Sequence, residues 1–94
     1  MFGYVEITWD DRKEAANIKK HGVNFDEAAT VIHNPLSLYN LNEHPSGNRF
    51  EYFGYSDQGR VLYVVTIEER DNVAPILSAR KAEPYERKKY EERF

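Results

Sequence analysis

The apolar residues of this chain change their period once, close to Pro35. Before that point, Asn24 and Glu27 have the spacing of a helix capping box, and apolar residues follow at helical spacing: Phe25, Ala28, Ala29 and Ile32. After it, short runs rich in β-formers alternate with turn residues, at 36–40, 49–55, 61–67 and 73–79. A block of helices followed by a block of strands is typical of an α+β domain.

Three further segments complete the predicted order. A strand is expected at residues 4–8, a helix at about 11–20, and a last helix at about 84–93. The predicted order is β-α-α-β-β-β-β-α, with an antiparallel sheet and the helices packed on one face. Nothing resembles a linker or a repeat, so residues 1–94 are predicted to form a single domain.

Composition excludes several classes of protein. The 94 residues contain no cysteine, which excludes disulfides, a thiolate nucleophile and a zinc–thiolate site. The chain opens with no signal segment, and no apolar run approaches the ~20 residues that a membrane span needs. The sequence therefore predicts a cytoplasmic protein without membrane contact.

Charge is distributed unevenly along the chain. The formal net charge is −3, but residues 25–72 alone carry three basic and eight acidic groups. Residues 73–94 carry six basic and four acidic groups. An acidic middle keeps a protein soluble or faces a basic partner, while the cations of the two ends have the chance to meet in space.

No motif for a metal or a cofactor is present. His21, His33 and His44 lack the HxxxH or HExxH spacing of a metal site. A Walker loop, GxGxxG and GxSxG are absent as well. We therefore expect no metal and no cofactor.

Cations near helix and strand ends are the remaining candidates for chemistry. Lys13, Asn17 and Lys20 share one face of the first helix, and His21 follows Asn17 by four residues. A solvated face, with cations at a helix C-terminus, explains the same pattern without any function.

Three arginines lie at the ends of neighbouring predicted strands. Arg49 opens one strand, Arg70 closes the next and Arg80 closes the last. Alone, each is an ordinary surface charge, but together they would suit a phosphate group, which guanidinium forks bind well. The many tyrosines and phenylalanines offer stacking faces for bases, although most aromatic residues at strand spacing belong to a core.

Two stretches resemble the BrnT toxin family. They are WDDRKEAANIKKHGVNFDEA, which begins at Trp9, and ILSARKAEPYERKKY, which ends at Tyr90. The paired signatures are KHGV-x-F and SARKA-x-x-x-ER-x-x-Y, and between them lie an Asn-Pro, an arginine before an aromatic strand, and GRVLYVV. The resemblance thus covers nearly the whole chain.

The resemblance implies a small RelE-like α+β ribonuclease of a type II toxin–antitoxin system. Such an enzyme would cleave RNA without a metal, through attack of the 2′-hydroxyl, and would inhibit translation. A BrnA-like antitoxin would neutralise it, and operator DNA would be contacted only through that antitoxin. Carried over, Lys20 and His21 come from KHGV, Arg49 and Arg70 from the strand ends, and Arg80 from SAR.

The chain departs from the family pattern at two positions. Pro75 stands where an arginine is common, and Glu83 replaces the usual threonine. A lost cation would weaken phosphate binding, so the alternative is a catalytically weak or inactive module that binds an antitoxin or nucleic acid. A structural domain with solvated charges is the third interpretation. Pro75 itself is expected at an edge position or a bulge, because proline cannot donate a ladder hydrogen bond.

Overall fold

The structure is a computed structural model that describes residues 6–67 and 71–93. The three helices are α1 (Asp11–His21), α2 (Phe25–His33) and α3 (Pro84–Glu91). The five strands are β1 (Glu6–Thr8), β2 (Leu38–Asn42), β3 (Arg49–Tyr55), β4 (Val61–Ile67) and β5 (Val73–Lys81). The α+β class and the order β-α-α-β-β-β-β-α are confirmed. The first two residues of the strand predicted at 4–8 lie outside the described residues.

Local sequence chemistry sets the helix ends. The Asp10 side chain accepts hydrogen bonds from the backbone N–H groups of Arg12 and Lys13, which begins α1. Gly22 ends α1 with φ 71°, a left-handed conformation that glycine adopts without a steric cost. The Asn24 side chain accepts from the N–H of Glu27 and so begins α2, as the capping-box spacing predicted.

The sheet has the strand order β1-β5-β4-β3-β2. Strands β2 to β5 form an antiparallel meander, whereas β1 pairs with β5 in parallel, with Ile7 opposite Ala74. The sheet is therefore mixed, and the prediction of a wholly antiparallel sheet is corrected in this respect. Alternation along a strand shows which residues share a face, but it does not show the direction of the neighbouring strand.

Helices α1 and α2 lie on one face of the sheet and close the core. Buried side chains from the helical block meet buried side chains from β3, β4 and β5: Val23, Phe25, Ala28 and Val31 on one side, and Tyr52, Leu62, Val64, Ile76 and Ala79 on the other. Each large apolar side chain buried in this way contributes roughly 1.5–3 kcal/mol. Gly54 is needed here, because an added Cβ would lie 2.2 Å from the Ser37 Oγ atom.

Helix α3 packs on the opposite face. Its buried residue Tyr90 contacts the rings of Phe53 and Tyr55, which alternate along β3 with the core residues Tyr52 and Gly54. The prediction that all helices share one face is therefore wrong for α3. The reason is that β3 carries aromatic side chains on both faces, so its second face also has apolar surface to cover.

Asn17 holds α1 against the edge of β5. Its amide Nδ2 donates to the carbonyl of Ala79 at 2.8 Å and to that of Val23 at 2.9 Å, while its Oδ1 accepts from the Ala79 N–H at 3.1 Å. The side chain is buried. Strand β1 pairs with residues 73–75 of β5, so this amide takes the place of a neighbouring strand at Ala79.

Pro75 lies beside an irregularity in the sheet. It pairs with Thr8 of β1, and the register of β4 against β5 shifts next to it, where Thr66 pairs with Ile76 and Val65 with Ser78. Of the two predicted settings, the edge is not observed, because β1 flanks β5 at this residue. The residue left over by the register shift is Leu77, so the bulge follows Pro75 by two residues and does not contain it.

Candidate functional site

Arg80 lies on the sheet face that carries α3. Cross-strand pairing places Leu38, Phe53, Tyr63 and Arg80 in one row across four strands. The Arg80 guanidinium carbon lies 4.5 Å from the centre of the Tyr63 ring, a cation–π contact. Its Nη1 forms an ion pair with the Glu86 carboxylate at 2.8 Å.

The hydrogen bonds of Arg80 to described residues leave one edge of its guanidinium unused. Nη1 donates to Glu86 and to the Lys81 carbonyl, and Nη2 donates to Glu86 at 3.2 Å. A guanidinium has five N–H groups, so Nε–H and one Nη2–H remain. These two form a fork that suits an anion with two oxygens. The hydrogen bond to Glu86 also raises the pKa of Arg80, so the charge is permanent.

A groove runs over the same face, between the sheet and α3. It consists of two cavities of about 460 and 450 Å³ that share Leu38, Phe53 and Arg93. We call it the open-face groove; its lining residues are Leu38, Tyr39, Asn40, Glu51, Phe53, Tyr63, Tyr85, Glu86, Lys89, Tyr90 and Arg93. Arg80 borders this groove through its two contacts, Tyr63 and Glu86. Aromatic rings beside cations are the lining that stacked bases and phosphates require.

Glu51 and Tyr63 form a hydrogen-bonded pair in the groove. The Tyr63 hydroxyl donates to Glu51 at 2.5 Å, and the amides of Asn40 and Asn42 donate to the same carboxylate. Burial alone would raise the pKa of Glu51, but these three hydrogen bonds outweigh it and hold the pKa below its ordinary value. Burial, followed by the bond to Glu51, raises the pKa of Tyr63 to about 12. A carboxylate and a neutral phenol thus face the groove at neutral pH.

Sequence reasoning missed the Glu51–Tyr63 pair. Glu51 is the one acidic residue in the aromatic strand RFEYFGY, and period-two alternation places it on the same face as Arg49 and Phe53. That alternation was the available signal. It does not show which face stays open, because the position of α3 is decided by tertiary packing.

Lys20 and His21 lie in a different cavity. They line a cleft of about 220 Å³ between α1 and β5, together with Lys13, Leu77 and Ser78. Among the described residues, those of this cleft do not line the open-face groove. Asn17, which shares the helix face of Lys13 and Lys20, is engaged with Ala79 and therefore has a structural role.

Arg49 and Arg70 complete the set of predicted site residues. Arg49 opens β3, and its guanidinium donates to the Gly47 carbonyl at 2.7 Å. By alternation it shares the face of Phe53, but it lies four residues along the strand, about 13 Å away, and does not line the groove. Arg70 lies outside the described residues. The structure therefore brings Arg80 to the groove, Lys20 and His21 to the cleft, and Arg49 to neither.

Neither a metal-binding cluster nor a membrane-spanning helix is present in residues 6–67 and 71–93. Within these ranges, no three histidine, cysteine, aspartate or glutamate side chains come together as a metal site would require. No helix there combines the length and the apolar character that crossing a bilayer demands.

Comparison with known proteins gives a family and a fold. Residues 9–86 match the family model described as "Ribonuclease toxin, BrnT, of type II toxin-antitoxin system". Among solved structures, the chain is similar to the 1.1 Å crystal structure of the Brucella abortus ribonuclease toxin, BrnT, with a TM-score of 0.63 and 20% sequence identity. That similarity covers 84% of this chain and 97% of the Brucella chain, and at this identity it supports the fold. A search of curated proteins gives no match.

The family match spans most of the chain and contains every residue predicted for the site. The fold agrees with it independently, since the α+β structure of this chain, with its five-stranded mixed sheet, is similar to that of the Brucella toxin over 84% of this chain. The chain therefore belongs to the BrnT family of ribonuclease toxins of type II toxin–antitoxin systems.

Proposed function

We propose that this chain is a metal-independent, RelE-like endoribonuclease that cleaves RNA by attack of the substrate's own 2′-hydroxyl and thereby inhibits translation. The observation that carries the proposal is the free fork of Arg80 at the border of the open-face groove. Its Nε–H and remaining Nη2–H have no hydrogen-bond partner among the described residues, while Glu86 and Tyr63 fix the plane of the guanidinium. A fixed fork beside stacking aromatic rings is suited to the phosphate of a single-stranded nucleotide.

The proposed reaction needs charge compensation and two proton transfers. The 2′-oxygen attacks phosphorus and loses its proton to a base, while the 5′-oxygen leaves and takes a proton from an acid. The P–O5′ bond breaks as the P–O2′ bond forms, which leaves a 2′,3′-cyclic phosphate and a 5′-hydroxyl. Arg80 would stabilise the negative charge that develops on the phosphorane oxygens.

Two groups are the candidates for proton transfer. Glu51 lies in the groove, bonded to the hydroxyl of the Tyr63 ring that Arg80 contacts, and its lowered pKa keeps it an acceptor at neutral pH. His21 lies in the cleft with Lys20, and an imidazole side chain can donate or accept a proton. We assign the scissile phosphate to the groove, because aromatic rings line it and Arg80 borders it. Lys20 then serves in charge compensation or in a second contact with the RNA, and His21 stays the alternative proton-transfer group to Glu51.

A protein antitoxin is the partner that type II membership implies, and we propose that it is BrnA-like. The groove is attractive to such a partner, since Leu38, Phe53 and Tyr90 are apolar and Lys89 and Arg93 are basic. Tight inhibition requires a long-lived complex, so we expect more than roughly 2,000 Å² of total buried surface. Operator DNA would be contacted only through the antitoxin. In the alternative function the same groove binds a partner without cleaving RNA.

Cleavage of RNA in the presence of EDTA tests the proposal. The purified chain should cleave a single-stranded RNA under these conditions and leave a 2′,3′-cyclic phosphate, detected by mass spectrometry. Glu51→Gln and His21→Gln, measured across pH, decide between the two proton-transfer candidates, because only the catalytic group changes the pH–rate profile when it is removed. Absence of cleavage by the folded wild-type chain, or cleavage only after Mg²⁺ is added, would contradict the proposal.

A further inference from the structure

A second cleft with basic lining residues lies at one end of the sheet. It shares no lining residue with the open-face groove or with the cleft that contains Lys20 and His21. It has a volume of about 230 Å³ and is enclosed by the turn between β3 and β4, the end of β5 and the side of α3. Its charged lining residues are Arg60, Lys81, Arg87 and Glu91, and Tyr55 adds a phenol. None of these residues was predicted to be catalytic.

Positive charge is in excess over negative charge in this cleft. Neither Lys81 nor Arg87 forms an ion pair with any residue that the structure describes. Glu91, the carboxylate that lines the cleft, accepts a short hydrogen bond from the Tyr55 hydroxyl. Arg60 is paired with Glu27, which lies behind it in the protein interior. Within the described part of the chain, Lys81 and Arg87 thus face the cleft against Glu91 as the single lining carboxylate, while the charge of Arg60 is balanced by Glu27.

Arg60 offers donors as well as charge. Its Nε and Nη2 donate to the two oxygens of Glu27, and Nη2 also donates to the Gly22 carbonyl at 3.3 Å. Because these hydrogen bonds to described residues use only Nε and Nη2, both N–H groups of Nη1 can still donate to a ligand. Because Glu27 fixes the guanidinium, these donors are held in place before any ligand arrives.

The cleft adjoins the proposed reaction site along the chain. Lys81 follows Arg80 in β5, and Arg80 Nη1 donates to the Lys81 carbonyl at 3.2 Å. On α3, Glu86 and Lys89 line the groove, whereas Arg87 and Glu91 line the cleft. A strand whose phosphate meets the Arg80 fork can therefore continue around the end of β5 into the second cleft.

We propose that this cleft, lined by Arg60, Lys81 and Arg87, is an exosite for the phosphate backbone of RNA, next to the scissile nucleotide. This inference rests on the proposed ribonuclease function, since it identifies how a longer substrate is held. Phosphate suits the cleft better than a peptide carboxylate does, because the guanidinium donors of Arg60 and Arg87 match its several oxygens.

A double substitution tests the exosite without disturbing the fold. Lys81→Gln with Arg87→Gln removes two cations that form no ion pair with described residues, and it leaves Arg60, which supports the structure, in place. Lys19→Gln with Lys88→Gln is the matched control, since it removes the same charge from exposed positions that line none of the cavities described above. The readouts are cleavage of a dinucleotide and of a twelve-nucleotide RNA, and the dependence of binding on salt.

The exosite variant should raise KM for the twelve-nucleotide RNA and leave kcat and the cleavage of the dinucleotide unchanged. Its slope of log K against log salt should become shallower by about 0.7 for each phosphate that the protein no longer neutralises, while the control keeps the wild-type slope. An equal effect in the control, an equal effect on both RNA lengths, or an effect confined to the binding of oligoglutamate would overturn the exosite.

Binding separates this inference from the proposed function. If the wild-type chain cleaves no RNA, the ribonuclease proposal fails, yet fluorescence anisotropy with the twelve-nucleotide RNA still tests the cleft. Weaker binding by Lys81→Gln/Arg87→Gln than by the control would then support the exosite alone. Equal binding by the two variants would refute it.

Discussion

Two arginine–glutamate ion pairs, Arg60–Glu27 and Arg80–Glu86, differ in how deeply their side chains are buried. Arg60 and Glu27 join α2 to the start of β4, at 2.6 Å, and the Glu27 side chain is 1% exposed. Arg80 and Glu86 join the end of β5 to α3, at 2.8 Å, and the Glu86 side chain is 20% exposed. The two arginines are almost equally exposed, at 33% and 32%. The difference therefore lies in the carboxylate.

Burial of the carboxylate determines the role of each ion pair. Glu27 accepts from Arg60 and from the Ser56 hydroxyl, and the hydrogen bond from Arg60 is the main reason that its pKa is lowered. Such a group has no access to water if its partner is lost. Glu86 is partly exposed to solvent, and it also accepts a hydrogen bond from the Glu83 N–H at the start of α3. The first pair is thus a structural tie, while the second orients an arginine that has donors to spare.

The largest effect is expected from Arg60→Ala. This change leaves the Glu27 carboxylate buried without a charge partner, which costs about 3–5 kcal/mol in proteins. The free energy of unfolding, measured in urea, should fall by that order. Lys19→Ala is a suitable control, because Lys19 is exposed on α1. A decrease below about 1 kcal/mol would show that the two pairs do not differ as burial indicates.

Arg80→Ala should have the opposite effect: the free energy of unfolding should change little, and RNA cleavage should fall. Its pair with Glu86 is half-exposed, and pairs of this kind contribute about 0–1 kcal/mol, so the fold should stay nearly intact. Cleavage of RNA should fall by at least about tenfold, which is roughly 1.4 kcal/mol of transition-state stabilisation. The measurement is kcat/KM beside an unfolding curve for the same variant. Wild-type cleavage by a folded Arg80→Ala protein would remove Arg80 from the site.

The smallest expected effect is on the pH dependence of the free energy of unfolding in acid. The folded state lowers the pKa of Glu27 below its ordinary value of 4.5, so its contribution to stability is complete above that pH and is lost as the pH falls through the folded-state value. The pKa of Glu86 is lowered as well, mainly by Arg80, but this side chain is more exposed. Urea unfolding between about pH 7 and pH 3 should therefore show a shallower pH dependence in Glu27→Gln than in Glu86→Gln. The reverse order would contradict the contrast drawn from burial.

Much of the fold follows from local sequence. β3 and β4 begin and end at the predicted residues, because RFEYFGY and VLYVVTI are bounded by turn residues on the sides that the structure describes. The starts of α1 and α2 follow from the side-chain caps Asp10 and Asn24. These features depend on neighbours in the chain, and neighbours are visible in the sequence.

The rest depends on contacts between distant residues. The parallel pairing of β1 and the position of α3 on the second face are decided by packing, not by the pattern within either element. The same is true of the site. Arg80 was predicted from its strand-end position and its motif, but its spacing in the sequence does not show that Glu86 is the partner that orients it. Glu51 was hidden for a similar reason, since one acidic residue in a strand does not show which face it is on.

The bond between Asn17 and Ala79 has a consequence for the order of events during synthesis. It joins residues 62 positions apart, and the cleft with Lys20 and His21 needs Leu77 and Ser78 from the same strand. Because the ribosome adds residues in order, helix α1 must wait for β5 before it gains its buried partner, and β1 must wait for the same strand. Arg80 and Glu86 are synthesised after strands β1 to β4. A chain synthesised only as far as β4 therefore has neither the cleft that contains Lys20 and His21 nor the Arg80 fork. The proposed activity of this toxin can therefore appear only once β5 and α3 have left the ribosome.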